Sequence, residues 1–183
     1  AETLLPHIHE DKQKAIDLAN ETLDSFTGLY HDKWLRMMGS KLGLSTIMDD
    51  DDTLISELLD WMQTNKADYT NTFRDLCTDT QPTGNIYDHS KFINWYQSWE
   101  TRRHSQHIST AESKALMKTA NPSIIPRNHK VEAVLTASHN GNLEPLHQLL
   151  KHLAKPYNDP SSRTQFHDPP EPHENVKFTF CGT

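Results

Sequence analysis

Apolar residues recur at three- and four-residue spacing along most of this chain, and that period confines it to helices. Between Asp11 and about Leu42 the sequence carries Ala15, Leu18, Ala19, Leu23, Phe26, Tyr30, Trp34, Met37 and Met38 in that rhythm. It predicts one long helix, or two helices broken near Thr27-Gly28. Gly43 follows, suited to the left-handed residue that ends a helix. Four acids, Asp49 to Asp52, precede Leu54, Ile55, Leu58, Leu59 and Met62. Acids there satisfy free amides and oppose the helix dipole. The run lacks the glycine and ligand spacing of a calcium loop. Strand patterns are nearly absent.

The same grammar continues downstream. Asp68 is placed to cap a helix bearing Tyr69, Phe73, Leu76 and Cys77, with Cys77 on the core side. Gln81 to Asn85 reads as a turn. Phe92, Trp95, Tyr96 and Trp99 form an aromatic stripe on a helix running to about Gln106, and such a stripe is core before it is a ligand platform. Ser109 and Glu112 have capping-box spacing. Pro122 and Pro126 force an extended stretch. A helix resumes near Asn128, which has the chemistry of a cap, and ends at Asn140-Gly141. Leu143, Leu146, Leu149, Leu150 and Leu153 make the last helix, so the two form a hairpin. Residues 1–155 therefore read as a helical region. Residues 156–183 read as an extended, proline-rich tail, pinned by Tyr157 and Phe166.

Composition narrows the function classes. The 183 residues carry a net charge of −7, with basic residues scattered and Arg102-Arg103 the one arginine pair. A nucleic-acid backbone binder needs clustered cations, so none is expected as a partner. No apolar run approaches a membrane span. Hydrophobic residues make up 34% and the mean hydropathy is −0.76, so a compact core should occupy only part of the chain. No secretory leader is visible, and two cysteines make no disulfide framework; a reducing cytoplasm fits best. Ala1 is not an initiator Met and Leu4-Leu5-Pro6 reads as mid-domain sequence, so the chain is either processed or a piece of something longer.

Candidate chemistry is sparse. Twelve histidines invite a metal hypothesis, with His7/His9, His104/His107 and the doublets His31-Asp32 and His167-Asp168. An all-α metal phosphohydrolase would need such ligands to converge from several helices. These sit on unrelated segments, and surface histidine is the simpler reading. No glycine-rich phosphate loop is present. Cys181, three places from the end, is either an idle thiol packed by Phe178 and Phe180 or an accessible redox group. Cys77 reads as buried, so a disulfide partner for Cys181 would lie outside these residues.

One block is specific. Asn121-Pro122-Ser123-Ile124-Ile125-Pro126-Arg127-Asn128-His129-Lys130-Val131-Glu132 resembles a signature of the selenoprotein O (YdiU) family. Leu4-Leu5-Pro6, Lys41-Leu42-Gly43-Leu44, Asp68 to Arg74, Ala154-Lys155-Pro156-Tyr157 and the ending Thr179-Phe180-Cys181-Gly182-Thr183 resemble that family in the same order. The resemblance implies the C-terminal, mainly α part of a kinase-like (pseudokinase) fold. It also implies a parent that moves AMP from ATP, with Mg²⁺ or Mn²⁺, onto protein hydroxyls. The family's nucleotide and metal residues have no counterpart here. No catalytic or metal residue is therefore expected in this chain, and no cofactor bound by it alone. The expected partners are the N-terminal kinase-like portion and, for the whole protein, its protein substrates. The resemblance puts Cys181 at a redox position, able in bacterial members to pair with a cysteine near the activation loop that this chain lacks. Asn121, Pro122, Pro126, Arg127, Asn128, His129 and Glu132 are then expected to be structural. Arg127 should hold a carboxylate or carbonyls rather than touch substrate. Two other classes stay open on the residues alone, a free-standing helical interaction module and the metal phosphohydrolase.

Overall fold

The computed structural model describes residues 2–158 and 164–174; Cys181 and the rest of the ending lie outside the described residues. Within these there are eight α-helices, two short 3₁₀ turns and no strand. The mainly α expectation holds. The chain divides into two compact units, Ala1–Met38 and Gly39–Thr183.

In the first unit a 3₁₀ turn (Glu2–Leu4) leads into α1 (Leu5–Ile8) and then α2 (Lys12–Lys41), whose last residues belong to the second unit. Asp11 starts α2: its carboxylate accepts hydrogen bonds from the Gln13 amide at 2.8 Å and the Lys14 amide at 3.1 Å. Its free oxygen thus replaces a missing helical acceptor. The helix passes Gly28 without a break, so the single-helix alternative is the one adopted. A lone glycine in a helix interior costs only about 1 kcal/mol against alanine, too little to split a 30-residue helix.

The second unit holds α3 (Asp51–Asn65), α4 (Tyr69–Asp75), α5 (Ser90–His104), α6 (Thr110–Ala120), α7 (Asn128–His139) and α8 (Glu144–Leu153). Its main core lies where α3 packs on α5. Phe92, Trp95 and Trp99 are buried there with Ile55 and Leu58, as their spacing predicts, and with Trp61, which that spacing did not single out; Tyr96 of the same stripe is half-buried. Burial makes an unpaired indole N–H costly, and two of the three here find an acceptor, while Trp61 Nε1 finds none among the described residues. Trp95 donates to the Leu54 carbonyl at 2.8 Å, and Trp99 to the Leu42 carbonyl at 2.9 Å. The α3 start holds more than a helix signal. Asp51 is buried and takes a two-pronged bond from Arg102 at 2.7 and 2.9 Å. Arg103 turns inward, pairs with Glu100, and lies over the Trp99 ring at 4.7 Å. The arginine pair is thus turned into the fold, with Arg102 Nη1 and Arg103 Nε and Nη1 buried there without a hydrogen-bond partner among the described residues.

Gly43 behaves as its position predicts, with φ of +74°. Space also demands glycine. A Cβ would meet Ser113 Oγ at 2.4 Å and Met117 Cγ at 2.9 Å, which lets α6 sit against the end of α2. Ser113 Oγ donates to the Gly43 carbonyl at 2.8 Å. Ser109 and Glu112 form the capping box that starts α6.

A second, smaller core lies under the α7–α8 hairpin: Ile124, Val134, Leu149 and Phe166, with Val131, Leu146 and Leu153 around it. Phe166, in the second 3₁₀ turn (Gln165–His167), pins the tail as expected. Tyr157 does not, being 49% exposed. The chain is held at that point through its backbone instead. The Ser123 amide and the Ile124 amide both donate to the Pro156 carbonyl, at 2.7 and 3.4 Å.

Candidate functional site

The residues from Asn121 to Glu132 are drawn from the end of α6, an extended strand-like link and the start of α7. Asn121, 1% exposed, is a junction. Its amide nitrogen donates to the Lys41 carbonyl at 2.8 Å, and its amide oxygen accepts from Lys41 Nζ at 3.2 Å. Lys41 Nζ also donates to the Ala120 carbonyl, at 3.2 Å. Arg74 donates to the Asn121 backbone carbonyl at 3.0 Å. One asparagine therefore joins the C-terminus of α2, α4 and the end of α6. Asparagine suits this because its amide both donates and accepts. The Lys41 ammonium lies 5.4 Å from the Tyr69 ring centre and 5.2 Å from that of Phe73. Burial holds its pKa below the ordinary lysine value. Cation–π contact and carbonyl oxygens offset that loss of water.

Six residues on, Arg127 makes a fork-to-fork pair with Asp68: Nη1 to Oδ2 at 2.7 Å and Nη2 to Oδ1 at 2.8 Å. A third bond runs from Nη2 to Asn71 Oδ1 at 3.2 Å. Asp68 serves two ends at once, because its Oδ1 also caps α4 by accepting from the Asn71 amide at 2.8 Å. Asn71 in turn donates to the His167 carbonyl at 3.1 Å. His129 is buried and its ring bonds to the backbone of Asp168. Its pKa is lowered, first by burial and then by Lys130 and Arg127, against the opposing pull of Glu174 and the Asp168 backbone. Asn71 and His129 thus clasp residues 167–168 of the tail, and the Arg127–Asp68 pair positions Asn71 for this. Pro170 walls a cavity of about 300 Å³ beside Arg127, His129 and Glu174. It also walls a groove of about 740 Å³ beside Asp68, Asn71 and Tyr87.

The other block residues take no part in this clasp. Pro122 is half-buried, while Pro126, Asn128 and Glu132 are exposed. Asn128 is not the cap its chemistry offers: Arg127 is the boundary residue of α7, and no side chain caps the helix. The extended φ and ψ that a cap requires, −70° and 129°, fall on Arg127, one residue earlier than the side-chain chemistry implies. Asp68 appears in sequence as a helix cap. Its second role, as the carboxylate for Arg127, is invisible there, since 59 residues separate the two. The segment Asp68 to Arg74 supplied the signal without the pairing.

The Arg127 guanidinium faces a carboxylate and an amide carbonyl. Arg127 Nε and the Nε2 atoms of His129 and His167 are buried with no hydrogen-bond partner among the described residues. The clasp contains no nucleophile held against a base. Cys77 is a buried thiol that donates to the Phe73 carbonyl at 3.2 Å. Among the described residues no group of three or more His, Cys, Asp or Glu could hold a metal ion. No described helix is long and apolar enough to cross a membrane.

The sequence profile of the family described as "Protein adenylyltransferase SelO" matches residues 6–154. The chain belongs to the SelO family. Similar curated SelO relatives carry the name "Protein nucleotidyltransferase YdiU". The one from Nitrosococcus oceani is 44% identical across all of this chain and 37% of its own length. That from Alcanivorax borkumensis is 45% identical over 38% of its length, and that from Alkaliphilus metalliredigens 42% over 38%. The chain spans a little over a third of the SelO relatives it matches. The α2 end, the α4 cap and the Asn121 block all lie inside the SelO match.

Proposed function

We propose that these residues are the C-terminal helical part of a bacterial, cytoplasmic protein adenylyltransferase with a kinase-like fold. The parent would transfer AMP from ATP, with Mg²⁺ or Mn²⁺, to Ser, Thr or Tyr hydroxyls of other proteins. In such a transfer the hydroxyl oxygen bonds to the α-phosphorus, pyrophosphate leaves, and the hydroxyl proton passes to a base. The observation that carries this reading is the match of the whole chain to little more than a third of proteins named nucleotidyltransferases. The described residues do not fit a metal-nucleotide site, since they bring together no cluster of metal ligands. No chemical step is therefore assigned to them. Their part is support: Asn121 locks α2, α4 and α6 together, and Asn71, positioned by the Arg127–Asp68 pair, holds with His129 the tail whose ending carries Cys181. Cys181 is the redox group of that ending. Family membership favours neither the free-standing module nor the phosphohydrolase.

The test is AMP transfer by the full-length protein, using ATP labelled at the α-phosphate and, in parallel, at the γ-phosphate. Label should enter protein from the α position only. A full-length protein that incorporates no α label refutes the reading, and γ label entering instead would make it a kinase.

A further inference from the structure

Every residue of α2 from 20 to 33 is exposed, although this stretch is rich in large apolar side chains. Leu18, Leu23, Phe26, Leu29, Tyr30 and Met37 are each between 44% and 63% exposed. At about 100° per residue all six fall within an arc of roughly 140°. Between Leu18 and Tyr30 the other residues in that arc are Ala19 and Thr22, so it carries no charge there; Lys33 and Arg36 enter the arc only between Tyr30 and Met37. Phe26 and Tyr30 stack at 6.0 Å, so part of the face is already ordered as a ridge. The acids Asp17, Glu21, Asp24 and Asp32 lie on the opposite side of the helix. Contiguous apolar surface of this kind marks a face that something covers.

We propose that this face of α2 is the seat of the rest of the parent polypeptide, docked as a helix against an apolar, largely uncharged groove. The inference rests on the reading that the chain is part of a longer protein. Two observations choose this occupant. The relatives align with all of this chain yet reserve well over half their length for residues outside it, enough to supply a groove. From residue 17 to 32 the polar side of α2 carries Asp17, Glu21, Asp24 and Asp32 and no Lys or Arg, which opposes adsorption to an anionic membrane; an interfacial helix places Lys and Arg there instead.

Hydroxyl-radical footprinting of the full-length protein, read residue by residue by mass spectrometry, tests this. Labelling of Leu23, Phe26, Tyr30 and Met37 should fall about tenfold below that in the urea-unfolded protein. Light scattering is run on the same sample. Labelling within about twofold of the unfolded rate would leave the face open to water and overturn the proposal. Protection that appears only where light scattering reports a dimer would give the face to a second copy and also overturn it. Full-length Phe26→Asp supplies an independent reading. It should expose Leu23 and Tyr30 to label, whereas Asp24→Lys on the opposite side should not; equal labelling in the two variants would count against the seat. A protected face in a protein that transfers no AMP would refute the enzymatic reading alone. An open face in an active enzyme would refute the docking alone.

Discussion

Arg127→Ala, Asp68→Ala and the double variant isolate the pair that joins the start of α7 to the start of α4, beside the Asn71 that holds the tail. Arg127 loses two charge-assisted bonds to Asp68 and one bond to Asn71 Oδ1. Bonds of the first kind contribute about 1.5–3 kcal/mol each, and the guanidinium regains part of this on returning to water. The Arg127 side chain is 7% exposed and that of Asp68 21%, so the pair is neither a surface bridge nor fully dry. Removing Arg127 should therefore cost about 2–4 kcal/mol, near the lower part of the range for breaking buried pairs. Removing Asp68 should cost more. It strands a buried guanidinium and also deletes the α4 cap, itself worth about 1 kcal/mol. The cycle should give a coupling energy of about 2 kcal/mol. Urea unfolding of the chain, followed by tryptophan fluorescence, reads it through Trp61, Trp95 and Trp99, all buried in the unit that contains the pair. Midpoints should shift with the slope unchanged. A coupling under about 0.5 kcal/mol would place the pair among surface bridges and refute it as a stabilising device.

His129 should make stability fall in acid. Its folded pKa lies below the free value, mainly because burial disfavours the charge. The native state therefore prefers the neutral ring. That contribution is complete above the unfolded value of about 6.5 and is lost as pH falls through the folded one. The stability gap between the native chain and His129→Gln should narrow from pH 7.5 to pH 5.5 in urea titrations. A constant or widening gap would show that the ring does not titrate against its neighbours. In the full-length enzyme, Cys181→Ser should abolish any disulfide-dependent change in AMP transfer and leave the thermal unfolding midpoint unchanged. A lowered midpoint would make Cys181 structural rather than redox.

Local chemistry was largely legible before the fold. Ser109 and Glu112 cap α6, Asp68 caps α4, and Gly43 takes a positive φ, because each depends on neighbours within about four residues. The aromatic spacing of α5 likewise named its buried face. What escaped notice was pairing at a distance. Asp51 read as one acid in a helix start, yet it is the buried partner of Arg102, 51 residues away. Asn128 read as the cap of α7, but the boundary fell on Arg127.

The sequence by itself determined most of the helices, several of their caps and the family, since periodicity, capping and motif order are all local properties of the chain. Only the tertiary structure decided what the Asn121 block does. Asn121 meets Lys41 across 80 residues, and Arg127 meets Asp68 across 59. A side chain's partner is set by which helices pack together, and hydrogen-bonding capacity alone does not name it. The same holds for α2. Its apolar period announced a helix with a face to bury, and only the structure left that face uncovered from residue 20 to 33.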